Sequence, residues 1–143
     1  MSILNEANIL LNQKLANKIE AIKATGQILV DRGYVKEEYI DAMFQREELS
    51  STYMGNFIAI PHGTEDAKTA VIESGLSVIQ VPEGVDFGGG NIVKILIGIA
   101  GKGDEHLEIL SKIAIVCSEE ENVEKLVQAG SKEEILQLLS EVN

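Results

Sequence analysis

The sequence predicts an α/β domain whose sheet is covered by helices on both faces. Three observations carry this. Apolar residues recur at helical spacing in the first and last thirds of the chain, with acidic residues between them. The middle third holds short apolar runs rich in β-branched residues and punctuated by Pro and Gly. One of these runs, Ile92 to Ala100, is apolar throughout except for Lys94 and Gly98. A strand reads that way when both of its faces are buried. Two helices, several strands and three further helices fit such a layered arrangement. At 143 residues, the chain suits one domain spanning residues 1–143.

The start, Met1 to Gln13, has no basic segment and is broken by Asn5, Glu6 and Asn8, so it does not read as a signal peptide. No apolar stretch approaches the ~20 residues of a spanning helix, and a cytoplasmic protein with no membrane insertion is expected. From Asn17 to Arg32, Ile19, Ile22, Leu29 and Val30 recur at near-helical spacing. Gly33 follows, where a left-handed residue closes a helix. From Lys36 to Leu49, Tyr39, Ile40, Met43 and Phe44 make one stripe opposite acidic residues. Ser50, Ser51 and Gly55 then loosen the pattern. Phe57 to Ile60 predicts a short strand that Pro61 stops. Ala70 to Val81 predicts a longer one, with Gly75 as a kink or bulge. Pro82-Glu83-Gly84 and Gly88-Gly89-Gly90 read as breakers. Beyond Ile92 to Ala100 and a turn at Gly101 to Gly103, Asp104 is expected to cap a helix that buries Leu107, Leu110, Ala114 and Cys117. Ser118 with Glu121, and Ser131 with Glu134, match the capping-box pattern ahead of the last two helices.

Composition narrows the function. Twelve Lys and Arg stand against 23 Asp and Glu, a net charge of −11. Nucleic acid and anionic membrane surfaces are poor partners for such a chain. One cysteine, Cys117, excludes an intramolecular disulfide and a cysteine-cluster zinc site, and fits a reducing compartment. Its place in an apolar helix face predicts a buried, inert thiol. Two histidines leave few routes to a transition-metal site. There is no phosphate-binding GxxxxGK[ST] loop and no GxSxG elbow, and Gly88-Gly89-Gly90 is not a dinucleotide fingerprint. No cofactor or metal is expected.

Chemistry concentrates in Ile58-Ala59-Ile60-Pro61-His62-Gly63-Thr64. Pro61 fixes its own φ and keeps Ile60 extended, so His62 stands on a stiff strand end. Gly63 can take positive φ or admit a close ligand, and Thr64 can cap a helical turn. From spacing alone, the favoured reading of His62 is a turn histidine bonded to a backbone carbonyl. His106 falls in the first turn of a helix, where the helix dipole disfavours imidazolium. Both histidines follow strands, so both fit one edge of the sheet, where open α/β sheets build their sites. Arg46 closes a helix in Phe44-Gln45-Arg46-Glu47-Glu48. It suits either a surface pairing with Glu or the grasp of a phosphoryl group.

Met54-Gly55-Asn56-Phe57-Ile58-Ala59-Ile60-Pro61-His62-Gly63-Thr64 resembles the active-site segment of the enzyme IIA components of the bacterial sugar phosphotransferase system, in the mannitol/fructose branch. Gln45-Arg46-Glu47-Glu48-Leu49 resembles that family's REEL/REKL stretch. Val81 to Phe87 and Ile97 to Leu110 are similar to the mannitol-specific subgroup. The resemblance covers nearly the whole chain. It implies a mixed β-sheet flanked by helices in a single EIIA type 2 domain. It implies that His62 carries the phosphoryl group and that His106 and Arg46 help hold it. It implies phosphate arriving from the phosphocarrier protein HPr and leaving to a cysteine of the mannitol-specific IIB domain of a IIB/IIC permease. The alternative it leaves open is a regulatory or fructose-type EIIA protein whose phosphorylation state a partner senses. A transient docking face around His62, shared by donor and acceptor, is also expected, its apolar part drawn from those of Met54, Phe57, Ile58, Ala59 and Ile60 that the strand does not bury.

Overall fold

The computed structural model describes residues 2–143. Alternation along two long central strands, reset where their register shifts, builds two cores. β4 (Gly75–Asp86) and β5 (Ile92–Ala100) pair antiparallel. On one face they place Leu76, Val78, Ile95, Ile97 and Ile99; on the other, Ile79, Val81, Val93, Leu96 and Ala100. β1 (Ile9–Leu10) lies parallel to β4, and β3 (Ile58–Ala59) lies parallel to β5. β2 (Tyr53–Gly55) closes the sheet antiparallel to β3, giving the order β1-β4-β5-β3-β2. α1 (Lys18–Asp31) and α2 (Glu38–Leu49) cover one face through Ala21, Ile22, Leu29, Tyr39 and Met43. α3 (Glu105–Cys117), α4 (Glu120–Gln128) and α5 (Lys132–Leu138) cover the other through Ile109, Ile113, Val123, Leu126 and Ile135. The expected mixed sheet with helices on both faces is present.

Close approaches fix how α1 and α2 sit. A Cβ on Gly98 would collide with the Ser77 hydroxyl and stand 3.2 Å from the Thr25 Cβ. The Ser77 hydroxyl donates to the Thr25 carbonyl at 2.9 Å. A Cβ on Gly26 would stand 2.9 Å from both Ile40 and Met43. These small residues let α1 settle onto the β4–β5 pair and α2 onto α1, which brings the face and C-terminal turn of α2 to the sheet edge.

Several local expectations change. Ala70 to Ser74 is not strand: Glu65–Ala70 forms a 3-10 segment and β4 begins at Gly75. Pro82-Glu83-Gly84 does not end β4; the register with β5 shifts between Gln80 and Val85, and the strand runs on to Asp86. An irregularity of this kind admits a residue without an N–H into a strand. α3 buries Ile109, Ile113, Val116 and Cys117 and leaves Leu107 and Ala114 exposed. Its apolar residues outnumber one face, and the sheet takes the β-branched set. Asp104 and Thr64 make no side-chain cap bond. The Ser118 hydroxyl turns back to the Ile115 carbonyl rather than capping α4. Ser131 does cap α5, accepting from Glu134 N–H at 3.2 Å, and Asn17 caps α1. Gly33 has φ 78°, the left-handed turn expected after α1.

Candidate functional site

The parallel strands β3 and β5 end at the same edge of the sheet, and each delivers one histidine. β3 runs through Ile60 and Pro61 to His62, which bridges Ile99 in parallel register. The Ile99 N–H donates to the Pro61 carbonyl at 2.9 Å, so proline's missing donor costs the pairing nothing. β5 passes through the turn at Gly101 into the first turn of α3, which carries His106. A Cβ on Gly101 would overlap the backbone and Cβ of His106, so glycine here lets the helix fold back onto the strand end. The two imidazole centroids stand 5.1 Å apart with planes 56° to each other.

Arg46 lies in the last turn of α2. Its guanidinium donates to the Ser50 carbonyl at 2.6 Å and contacts the Ser50 hydroxyl at 3.3 Å. Among the described residues it makes no salt bridge, so pairing with a helix Glu does not occupy it. Its charge reaches His62 and disfavours the imidazolium there. The two histidines therefore meet at one edge, and the charge of Arg46 acts on His62 from the last turn of α2.

His62 is 7% exposed. Its Nδ1 lies 2.7 Å from the Ile60 carbonyl oxygen. A carbonyl only accepts, so Nδ1 carries the hydrogen and Nε2 keeps its lone pair. The turn-histidine geometry thus occurs, and it leaves the other nitrogen available for chemistry. Burial above all pushes the His62 pKa below the usual 6.5. The Ile60 carbonyl works against this, while the charges of His106 and Arg46 lower it further and Glu47 raises it. Burial likewise lowers His106, with Glu65 pulling the other way. Burial thus acts in the same direction as the helix-start position expected for His106.

Two contributors escaped the sequence reading. The Tyr39 hydroxyl donates to the Ile99 carbonyl at 2.8 Å and accepts from the Gly63 N–H at 2.9 Å. Burial raises its pKa to about 12. Gly63 does not have positive φ, and what approaches it closely is the Tyr39 ring. The signal was a tyrosine inside a buried stripe, since a buried phenol needs partners. Glu47 is buried beside Arg46, accepts from the Thr52 N–H and hydroxyl at 2.9 and 2.6 Å, and pairs with Lys18 at 3.5 Å. It lies in the Gln45 to Leu49 stretch that carries the resemblance, but its sequence context gave it no role of its own. Cys117 is buried and its pKa is pushed up to about 11, which fits an inert thiol. Among the described residues no three His, Cys, Asp or Glu side chains group to hold a metal, and no helix is long and apolar enough to cross a membrane.

A neutral buried imidazole, a second imidazole and a guanidinium at a sheet edge can receive and hold a phosphoryl group. The family model of the phosphoenolpyruvate-dependent sugar phosphotransferase system, EIIA 2, matches residues 2–142. The chain belongs to this EIIA family. The chain is 68% identical over its full length to the mannitol-specific phosphotransferase enzyme IIA component of Geobacillus stearothermophilus, covering 99% of that EIIA protein. The crystal structure of IIA mannitol from Escherichia coli superposes with a TM-score of 0.89 at 42% identity, covering 95% of this chain and 98% of that one. The enzyme IIAMTL in a complex with phosphorylated enzyme IIBMTL from Escherichia coli matches with a TM-score of 0.89 at 39% identity, over 96% and 97% of the two chains.

Proposed function

We propose that this EIIA protein is the phosphoryl carrier of a mannitol-specific phosphotransferase system. It acts in the cytoplasm as a single domain over residues 1–143, taking phosphate from phospho-HPr on His62 and passing it to a cysteine of the IIB domain of a mannitol IIB/IIC permease. The observation that carries the reading is the Nδ1 bond from His62 to the Ile60 carbonyl, which leaves Nε2 unprotonated beside His106. The Nε2 lone pair attacks the phosphorus of phospho-HPr as the donor's N–P bond breaks and its imidazole leaves. In the second step a cysteine thiolate attacks the same phosphorus, the His62 N–P bond breaks, and Nε2 regains its lone pair. The Nδ1–H stays on the ring in both steps, and its bond to Ile60 steadies the charge that the ring takes up while phosphorylated.

His106 and Arg46 are donors to the phosphoryl oxygens. The guanidinium keeps N–H groups beyond those that face Ser50, and a neutral imidazole supplies one N–H without titrating. Docking supplies the in-line approach, and proximity provides much of the rate. The experiment is reconstitution with phosphoenolpyruvate, HPr, the HPr kinase and membranes carrying a mannitol IIB/IIC permease, reading mannitol phosphate. Product that depends on this protein is expected. Labelling by phospho-HPr without mannitol phosphate would replace this reading with the regulatory or fructose-type one.

A further inference from the structure

We propose that Tyr39 is a positioning residue for phosphoryl transfer: its hydroxyl ties the Gly63 N–H to the Ile99 carbonyl and so holds His62 in its Ile60-bonded orientation. This rests on the reading of His62 as the phosphoryl acceptor. A hydroxyl has one hydrogen, and the Ile99 carbonyl must take it, at 2.8 Å. The Gly63 N–H at 2.9 Å then points at the oxygen's lone pair. The bridge has one foot on the residue after His62 and the other on the β5 residue that His62 pairs with. The Pro61 carbonyl is already held by the Ile99 N–H. The backbone is therefore tied to β5 on both sides of the imidazole, and α2 supplies the second tie.

Tyr39 itself is 3% exposed and packs in the core with Met43, Ala59 and Ala100. It is thus placed to act through His62 and not by touching a partner protein. The ring also explains the glycine beside the histidine. A Cβ at Gly63 would stand 2.7 Å from Tyr39 Cε1, closer than a carbon–carbon contact allows. Without the hydroxyl, Gly63 N–H and Ile99 carbonyl lose their shared partner, and the His62 peptide gains freedom while the ring still fills the core.

The test is Tyr39→Phe. With phospho-HPr as donor, kcat for phosphorylation should fall about tenfold or more, since a misplacement of ~1 Å costs about a hundredfold. KM for phospho-HPr should stay level, because Tyr39 lies below the surface. Nitrogen-15 NMR of the unphosphorylated protein should show His62 wholly as the Nδ1–H tautomer in wild type and as a mixture in Tyr39→Phe. Gln80→Ala, which loses the side-chain bonds to the α4 C-terminal carbonyls of Leu126, Val127 and Ala129, serves as a control for general destabilisation. It should keep the wild-type tautomer and kcat. Wild-type kcat and tautomer in Tyr39→Phe, or a rise in KM alone, would overturn the proposal. Should the variant not fold, hydrogen exchange in wild type decides: the Gly63 amide should be protected, and exchange at the rate of an exposed loop would overturn the bridge. A wild type that phospho-HPr does not label at His62 removes the acceptor reading, while the tautomer and exchange results still report on the bridge.

Discussion

Burial lowers the pKa of both site histidines, and this fixes the sign of their pH effects. Each has a folded-state pKa below the unfolded value of about 6.5. As nucleophile, His62 should therefore accept phosphate at a level rate from pH 8 to about 6.5 and slow only below that. For stability, the unfolded chain binds more protons as pH falls below about 6.5. The stabilisation is complete above the unfolded pKa and is lost as pH drops through the folded one. Urea unfolding at pH 7.5 and pH 5 should show wild type losing more stability on acidification than His62→Asn; equal losses would contradict the burial argument. Around that nucleophile, Arg46→Lys keeps charge but loses the fork, so transfer should fall, and Arg46→Ala should fall further. His106→Gln should still accept label but pass it on slowly. Unchanged kinetics in the Arg46 variants would return that guanidinium to its Ser50 contact alone.

Elements differ in how much of them the sequence displays. Five helices and the β4–β5 pair span enough residues for a 3.6 period or a sustained apolar run to show. β1 and β2 have two and three residues, too few to alternate, and only their pairing with β4 and β3 makes them strands. The α3 face was misjudged because Leu107, Ala114 and Ile115 are apolar but exposed. His62, His106 and Arg46 could be singled out as candidates because chemistry and motif coincide at those residues. Tyr39 was not, because its hydrogen-bond partners lie 24 and 60 residues away. The caps give an element-scale prediction. Asn17 accepts from Glu20 N–H at 2.9 Å, so Asn17→Ala should cost about 1 kcal/mol. Asp104 makes no such bond, so Asp104→Ala should leave the denaturation midpoint nearly unchanged. Equal losses in the two variants would contradict the difference between the caps.

Over the whole molecule, acidity and an apolar rim shape the encounter. The net charge of −11 steers a basic partner, so added salt should slow association. Of the apolar segment expected to supply that rim, Ile60, two residues before His62, is half-buried. Ile58 and Ala59 are fully buried, and Phe57 and Met54 precede β3, at the end away from His62. Leu107, next to His106 in the chain, is 68% exposed. One face serving donor and acceptor in turn calls for a small interface and fast dissociation. Leu107→Ser should therefore raise KM for phospho-HPr and for the IIB domain together. A change confined to one partner would point to separate faces.

With Ile60 occupying Nδ1, His62 is expected to carry the phosphoryl group on Nε2. The most direct measurement is NMR of nitrogen-15 histidine-labelled protein after phosphorylation by phospho-HPr, reading the phosphorus-to-nitrogen coupling. One coupled nitrogen, Nε2 of His62, is expected, with no phosphorus signal in His62→Ala. Coupling to Nδ1 of His62, or to either nitrogen of His106, would contradict it.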